Sequence, residues 1–238
     1  MKHFNYFTKF EKILWCASVI IIVAAFIILD RANYLSLAAS IVGVTFLIFN
    51  AKGNPIGQFL TIVFSIMYGI ISYSFAYYGE MVTYLGMTAP MALMALVSWI
   101  RHPYNGNWGQ VTVNRLRRRE IFLMCGLTLA VTIAFYFILA AFDTANIIPS
   151  TISVTTSFLA VYLTFRRSPY FALAYASNDL VLIILWAMAC AEDRSYVSVL
   201  VCFVVFFVND MYGFLNWKRM EKRQKIGDRS QKRSQKIS

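Results

Sequence analysis

Eight apolar runs, at residues 13–29, 34–49, 56–78, 81–100, 121–142, 147–165, 169–191 and 196–217, constrain this chain more than any other feature. A hydrocarbon core of about 30 Å is crossed by about 20 apolar residues in helical form. Lipid offers no partner to backbone N–H and C=O groups, so runs of this length and evenness cross as helices. Charged residues make up 14% of the chain and hydrophobic ones 59%, against about 25% charged in a soluble domain. The expected fold is therefore an all-α integral membrane protein of about eight spans.

Charge placement tests the count. With a cytoplasmic N-terminus, all of the 22 Lys and Arg residues except Arg31 and Arg194 fall in inward-facing segments. That asymmetry is what the positive-inside rule requires, and removing one span would scramble it. Both termini are thus expected in the cytoplasm, with the chain a multi-pass protein of the cell inner (plasma) membrane. The basic tail from Lys218 onward reads as a solvated topology determinant near anionic lipid rather than a nucleic-acid arm. Cys16, Cys125, Cys190 and Cys202 lie in apolar runs without a CxxC pair and read as small buried hydrophobes.

The spans repeat. Residues 34–100 run as span, polar loop with Pro55, long span, acidic loop at Glu80, span, and a closing Trp99 followed by Arg101. Residues 147–217 follow the same order, with Pro169, then Glu192 and Asp193, then Trp217 followed by Lys218. One span joins the two units, which gives them the same orientation and an axis along the membrane normal, as in carriers built from parallel repeats. Five segments follow: residues 1–33, an N-terminal segment with an extra helix; 34–100, the first three-helix bundle; 101–146, a basic loop and linker helix; 147–217, the second bundle; and 218–238, the basic tail.

Two Asn-Asp pairs interrupt the apolar runs. Asn178 and Asp179 fall at the centre of their span, and Asn209 and Asp210 slightly cytoplasmic of the centre of the last one. A charge at the centre of a membrane helix costs on the order of 2.5–3.5 kcal/mol, so it faces the bundle interior and marks a functional site unless it merely ties helices together. Trp186, seven residues after Asp179, shares its face. In the first unit Tyr68 lies beyond the equivalent positions, and Gln58 lies nearer the cytoplasm. With Tyr84 and Tyr212 these residues form a candidate substrate-binding set of acids, amides and aromatic faces suited to a flat ring. No nucleotide-hydrolysis loop, HExxH motif or buried cation occurs in the runs, so a phosphorylated solute would lack a counter-charge and a neutral or cationic one would fit. An intramembrane aspartyl protease is disfavoured because neither aspartate sits in a YD or GxGD context. No catalytic residue, metal site or cofactor is expected.

Residues 49–57 (FNAKGNPIG), Tyr78-Gly79-Glu80-Met81, Ala176-Ser177-Asn178-Asp179 with Trp186, and residues 209–217 (NDMYGFLNW) together resemble the PnuC family of nicotinamide riboside transporters. The resemblance runs from about Tyr34 to Trp217. It implies a SWEET-like fold and nicotinamide riboside as cargo, moved by facilitated diffusion with alternating access and trapped inside by a cytosolic riboside kinase. Membrane lipid is the expected surrounding partner, and a homo-oligomer is compatible with the family. Within that reading Trp186 and the tyrosines would stack the ring, Asn178 or Asn209 would pair with the carboxamide, and Asp179 or Asp210 would accept from ribose hydroxyls. The alternative is a proton-coupled or SWEET-like carrier of another small uncharged or cationic solute, such as a sugar or a thiamine-like compound.

Overall fold

The computed structural model describes residues 6–29, 33–74, 78–144, 146–192 and 196–234. Its helices are α1 (Lys9–Leu29), α2 (Tyr34–Ala51), α3 (Pro55–Ser74), α4 (Tyr78–Val82), α5 (Ala89–Ile100), α6 (Arg118–Ala141), α7 (Ile147–Phe165), α8 (Phe171–Glu192) and α9 (Val197–Ser234). A π-helical segment, Thr83–Thr88, joins α4 and α5 into one rod. The wider turn ends just before Pro90, whose missing N–H would otherwise interrupt the helical ladder. Counting that rod once, 8 helices among the described residues are long and apolar enough to cross a membrane. The chain is an all-α membrane protein.

Helices α2, α3 and α5 pack in sequence, as do α7, α8 and α9; across the two groups α2 meets α9 and α5 meets α7. Helix α6 lies outside, against α7, and turns Phe122, Leu129 and Phe137 outward, as a connecting span in lipid can. Helix α1 covers α9 and α2. It begins at Lys9, earlier than the apolar run, because Thr8 and Glu11 form a capping box: Glu11 N donates to Thr8 Oγ1 and Thr8 N donates to Glu11 Oε2.

The two groups end alike on the side where α1 begins. After α2, Gly53 N donates to Asn50 O and Asn54 N to Phe49 O; after α7, Arg167 N donates to Thr164 O and Ser168 N to Leu163 O. Each turn places one residue in the left-handed region, Gly53 at φ 69° and Arg167 at φ 54°, and each is followed by a proline. The closing tryptophans then cross over. Trp99 Nε1, at the end of α5, donates to Thr164 O of the other group at 2.9 Å. Trp217 Nε1, on α9, donates to Asn50 O at 2.7 Å. The two indoles meet at the centre of this end, ring centroids 5.5 Å apart.

Two segments expected as a plain basic loop and a solvated tail carry structure. Residues Pro103–Tyr104 and Asn107–Val111 form a hairpin, β1 and β2, with Asn105 and Gly106 both at positive φ in the two-residue turn. This hairpin and the chain after it bridge both turns, since Val111 N donates to Gly53 O and Asn114 N to Arg167 O. Helix α9 continues past Trp217 to Ser234, where a freely solvated tail was expected. Its side chain Gln224 is buried and paired twice, donating to Val111 O at 3.0 Å and accepting from Val113 N at 2.8 Å. The expectation for the cysteines is also corrected: only Cys202 is buried, while Cys16 and Cys125 are exposed on faces that lipid would cover. An apolar run identifies a span but not which face of it points inward.

Candidate functional site

Asp179 on α8 and Asp210 on α9 are both buried and line the same cavity. Small residues let the helices approach closely enough for this. A Cβ added at Gly213, one turn after Asp210, would lie 3.5 Å from Ala172 of α8 and 3.7 Å from Ala51 of α2. Asn178 is held from the other side, its Oδ1 accepting from Thr156 Oγ1 at 2.9 Å and Ser153 Oγ at 3.2 Å, both on α7. That arrangement commits the carbonyl oxygen and directs Asn178 through its amide donors. Asp179 Oδ2 is buried without a hydrogen-bond partner among the described residues, so one acceptor remains for a solute or water.

These three residues line one small cavity inside the bundle. Phe46, Phe64, Phe203, Phe206, Tyr84 and Tyr175 also line it, and among the described residues no Lys or Arg contributes to it. A second cavity lies toward the opposite end of the bundle from the crossed tryptophans and is lined by Trp186, Tyr68, Tyr196 and Ser40, among others. The two share Phe64, Phe203 and Phe206, which form an edge-to-face layer between them: Phe64 to Phe206 5.8 Å, Phe203 to Phe206 5.8 Å. Phe206 fits this layer because it occupies the notch at Gly43, where an added Cβ would stand 2.2 Å from its Cζ. Tyr68 and Tyr84 meet across the boundary at 4.5 Å.

The structure thus brings Asp179, Asn178, Asp210 and Tyr84 to one cavity, and Tyr68 and Trp186 to its neighbour. Trp186 and Asp179 share a face of α8, as their spacing demands, but seven residues separate their Cα atoms by roughly 10 Å along the axis. The phenylalanine layer fills the intervening level.

Three residues of the expected set are placed elsewhere. Asn209 turns toward α1, its Nδ2 donating to Ser18 Oγ and to Val205 O, both at 2.9 Å. Gln58 donates to Asn50 Oδ1 at 2.8 Å and supports the α2 turn. Tyr212 donates to Glu11 Oε1 at 2.9 Å, joining a latch in which the buried Glu11 also takes Lys52 at 3.1 Å. In that latch Tyr6 accepts from Asn54 and donates to Gly109 O, each at 2.9 Å; burial keeps its hydroxyl above the usual tyrosine pKa and hence protonated. For Asn209 and Tyr212 the physical reason is helix α1: it covers the α9 face that bears them, and nothing in the apolar run at 13–29 shows where that helix docks. Tyr175 was not expected in the lining, although it precedes Asp179 by four residues and so falls on the same face.

Comparison with known proteins agrees with this architecture. A family model described as nicotinamide mononucleotide transporter matches residues 33–219. A protein of Neisseria mucosa described as nicotinamide riboside transporter PnuC is 25% identical over 225 residues, spanning 92% of this chain and 85% of that one. A solved structure described as the crystal structure of the vitamin B3 transporter PnuC is similar in fold, with TM-score 0.81 and 23% identity, over 93% of this chain and 95% of the other.

Proposed function

The chain belongs to the nicotinamide mononucleotide transporter family, whose members are carriers and not enzymes, and we propose that this member carries nicotinamide riboside rather than its 5′-phosphate. The observation that carries this reading is the cavity at Asp179 and Asp210, which has two acids, an amide and aromatic walls but no Lys or Arg in its lining. The riboside offers a flat cationic ring, a carboxamide and ribose hydroxyls, which suit an aromatic face, Asn178 and the carboxyl groups respectively. A phosphate brings about −1.5 to −2 charge at neutral pH and would meet only the acids. The name of the Neisseria mucosa relative supports the same choice.

Movement then occurs by alternating access down the riboside gradient, the two three-helix units opening first to one side and then to the other around the layer of Phe64, Phe203 and Phe206. Phosphorylation by a cytosolic kinase makes uptake one-way, because the phosphorylated product cannot re-enter an acidic cavity. Both termini lie in the cytoplasm in this reading. Calorimetric titration of the purified protein with the riboside and with its 5′-phosphate tests the choice: the riboside binds at least about ten-fold more tightly, and equal affinities overturn it. The facing carboxyl pair also favours a second reading, coupling to protons. Uptake into vesicles that responds to an imposed pH gradient supports coupling, and indifference to the gradient supports facilitated diffusion.

A further inference from the structure

We propose that a crevice between the ends of α5 and α7 binds one anionic phospholipid, its phosphate between Arg101 and Arg167 and one acyl chain along Leu93, Met94 and Val97. The crevice is lined by these residues with Ser98, His102, Phe165 and Arg166, and contains no Asp or Glu. Its two halves have opposite character. Leu93, Met94 and Val97 are exposed at 53%, 49% and 41% and lie on the span itself, where lipid is the solvent. Arg101 and His102 follow the end of α5 at Ile100, and Arg166 and Arg167 follow the end of α7 at Phe165, so the cationic half stands at headgroup level. Leu93 to Arg101 covers roughly 12 Å of helix, which sets an acyl chain beside the first and a phosphate beside the second.

Two of the three arginines have no carboxylate partner among the described residues: none pairs with Arg101 or Arg167, whereas Arg166 is taken by Glu120. Arg167 Nε is buried without a partner, and its Nη1 reaches only Ser98 O and Oγ at 3.4 Å. Burial and the adjacent Arg166 hold its pKa below the ordinary arginine value, a cost that an anion would relieve. Arg167 is also held at positive φ by the turn after α7, so its side chain leaves the backbone in one direction. A basic pocket between membrane helices at headgroup level is a site for acidic lipid.

The test uses the full chain in detergent, with phosphatidylglycerol and phosphatidylcholine of equal chain length added in turn and bound lipid measured by native mass spectrometry. The unaltered protein retains one phosphatidylglycerol in preference to phosphatidylcholine. Arg101→Gln with Arg167→Gln lowers that preference by about thirty-fold, and Val97→Trp, which fills the apolar arm and leaves both arginines, lowers retention as well. Should the double variant fail to fold, Val97→Trp together with the single Arg101→Gln carries the test. Equal retention of the two lipids, or a preference that survives these variants, overturns the proposal. Glycerol 1-phosphate supplies the source control: if it raises the melting temperature as much as phosphatidylglycerol does, the crevice takes a free phosphate and the lipid assignment fails.

Discussion

Single residues show where helical spacing was informative and where depth intervened. Asp179 and Asp210 stood out because a carboxyl in an apolar run has no cheap place except the bundle interior, and both are buried there. Asn178 and Tyr84 reach the same cavity. Trp186 reaches the next one, beyond Phe64, Phe203 and Phe206, and this separation yields a quantitative expectation. Asp179→Asn keeps shape and removes charge, so if the carboxylate accepts from the riboside, affinity falls about ten- to a hundred-fold, the value of a charged hydrogen bond. Trp186→Ala lowers affinity by removing an aromatic face at the mouth of the path. Because the two groups line different cavities and lie roughly 10 Å apart along α8, their effects add to within about 0.5 kcal/mol in the double variant unless the phenylalanine layer between them couples the two. Calorimetry on protein of verified folded yield measures all three. Normal riboside affinity in folded Asp179→Asn protein would remove Asp179 from the site, and strong coupling would mean that one solute bridges both cavities.

Secondary-structure elements were legible in proportion to the locality of their cause. The spans follow from apolar length alone. The hairpin at residues 103–111 had a local signal too, Asn105-Gly106, since Asn tolerates and Gly freely adopts the positive φ of a two-residue turn; the charge of the surrounding loop hid it. The helical continuation of α9 had no comparable local cause. Residues beyond Trp217 are strongly basic and would repel one another as an isolated strand of chain, and what orders them is docking: Met220 is buried against Trp217 and Val111 in one cluster, and Gln224 pairs with the backbone at Val111 and Val113. Gln224→Leu keeps much of the volume and leaves a buried C=O and N–H unpaired, a loss of about 1–3 kcal/mol for each group. The melting temperature should drop while riboside affinity stays unchanged. Unaltered thermal stability would show that the tail is ordered by its apolar contacts alone.

For the whole molecule, the tandem arrangement was visible in paired landmarks, Pro55 with Pro169 and Trp99 with Trp217, and the fold gives those landmarks reciprocal work. Each tryptophan closes the first-helix end of the opposite unit. The start of α1 and the end of α9 lie on the side of this end, which also gathers Lys52, Arg101, Arg166 and Arg167. A cytoplasmic assignment for that end is the fourth expectation. In a background without cysteine, Cys placed at position 234 stays unlabelled by an impermeant reagent in intact cells and reacts once the membrane is opened. Labelling in intact cells would reverse the orientation.

Span number and fold class were determined by sequence alone, because each rests on hydropathy or charge, quantities that a residue carries wherever it sits. The tertiary structure decided which faces meet: that α1 covers Asn209 and Tyr212, that three phenylalanines divide one expected pocket into two, and that Arg101 and Arg167 share a crevice. Those outcomes depend on helix rotation and depth, set by the small residues and crossed hydrogen bonds of neighbouring helices far away in the chain.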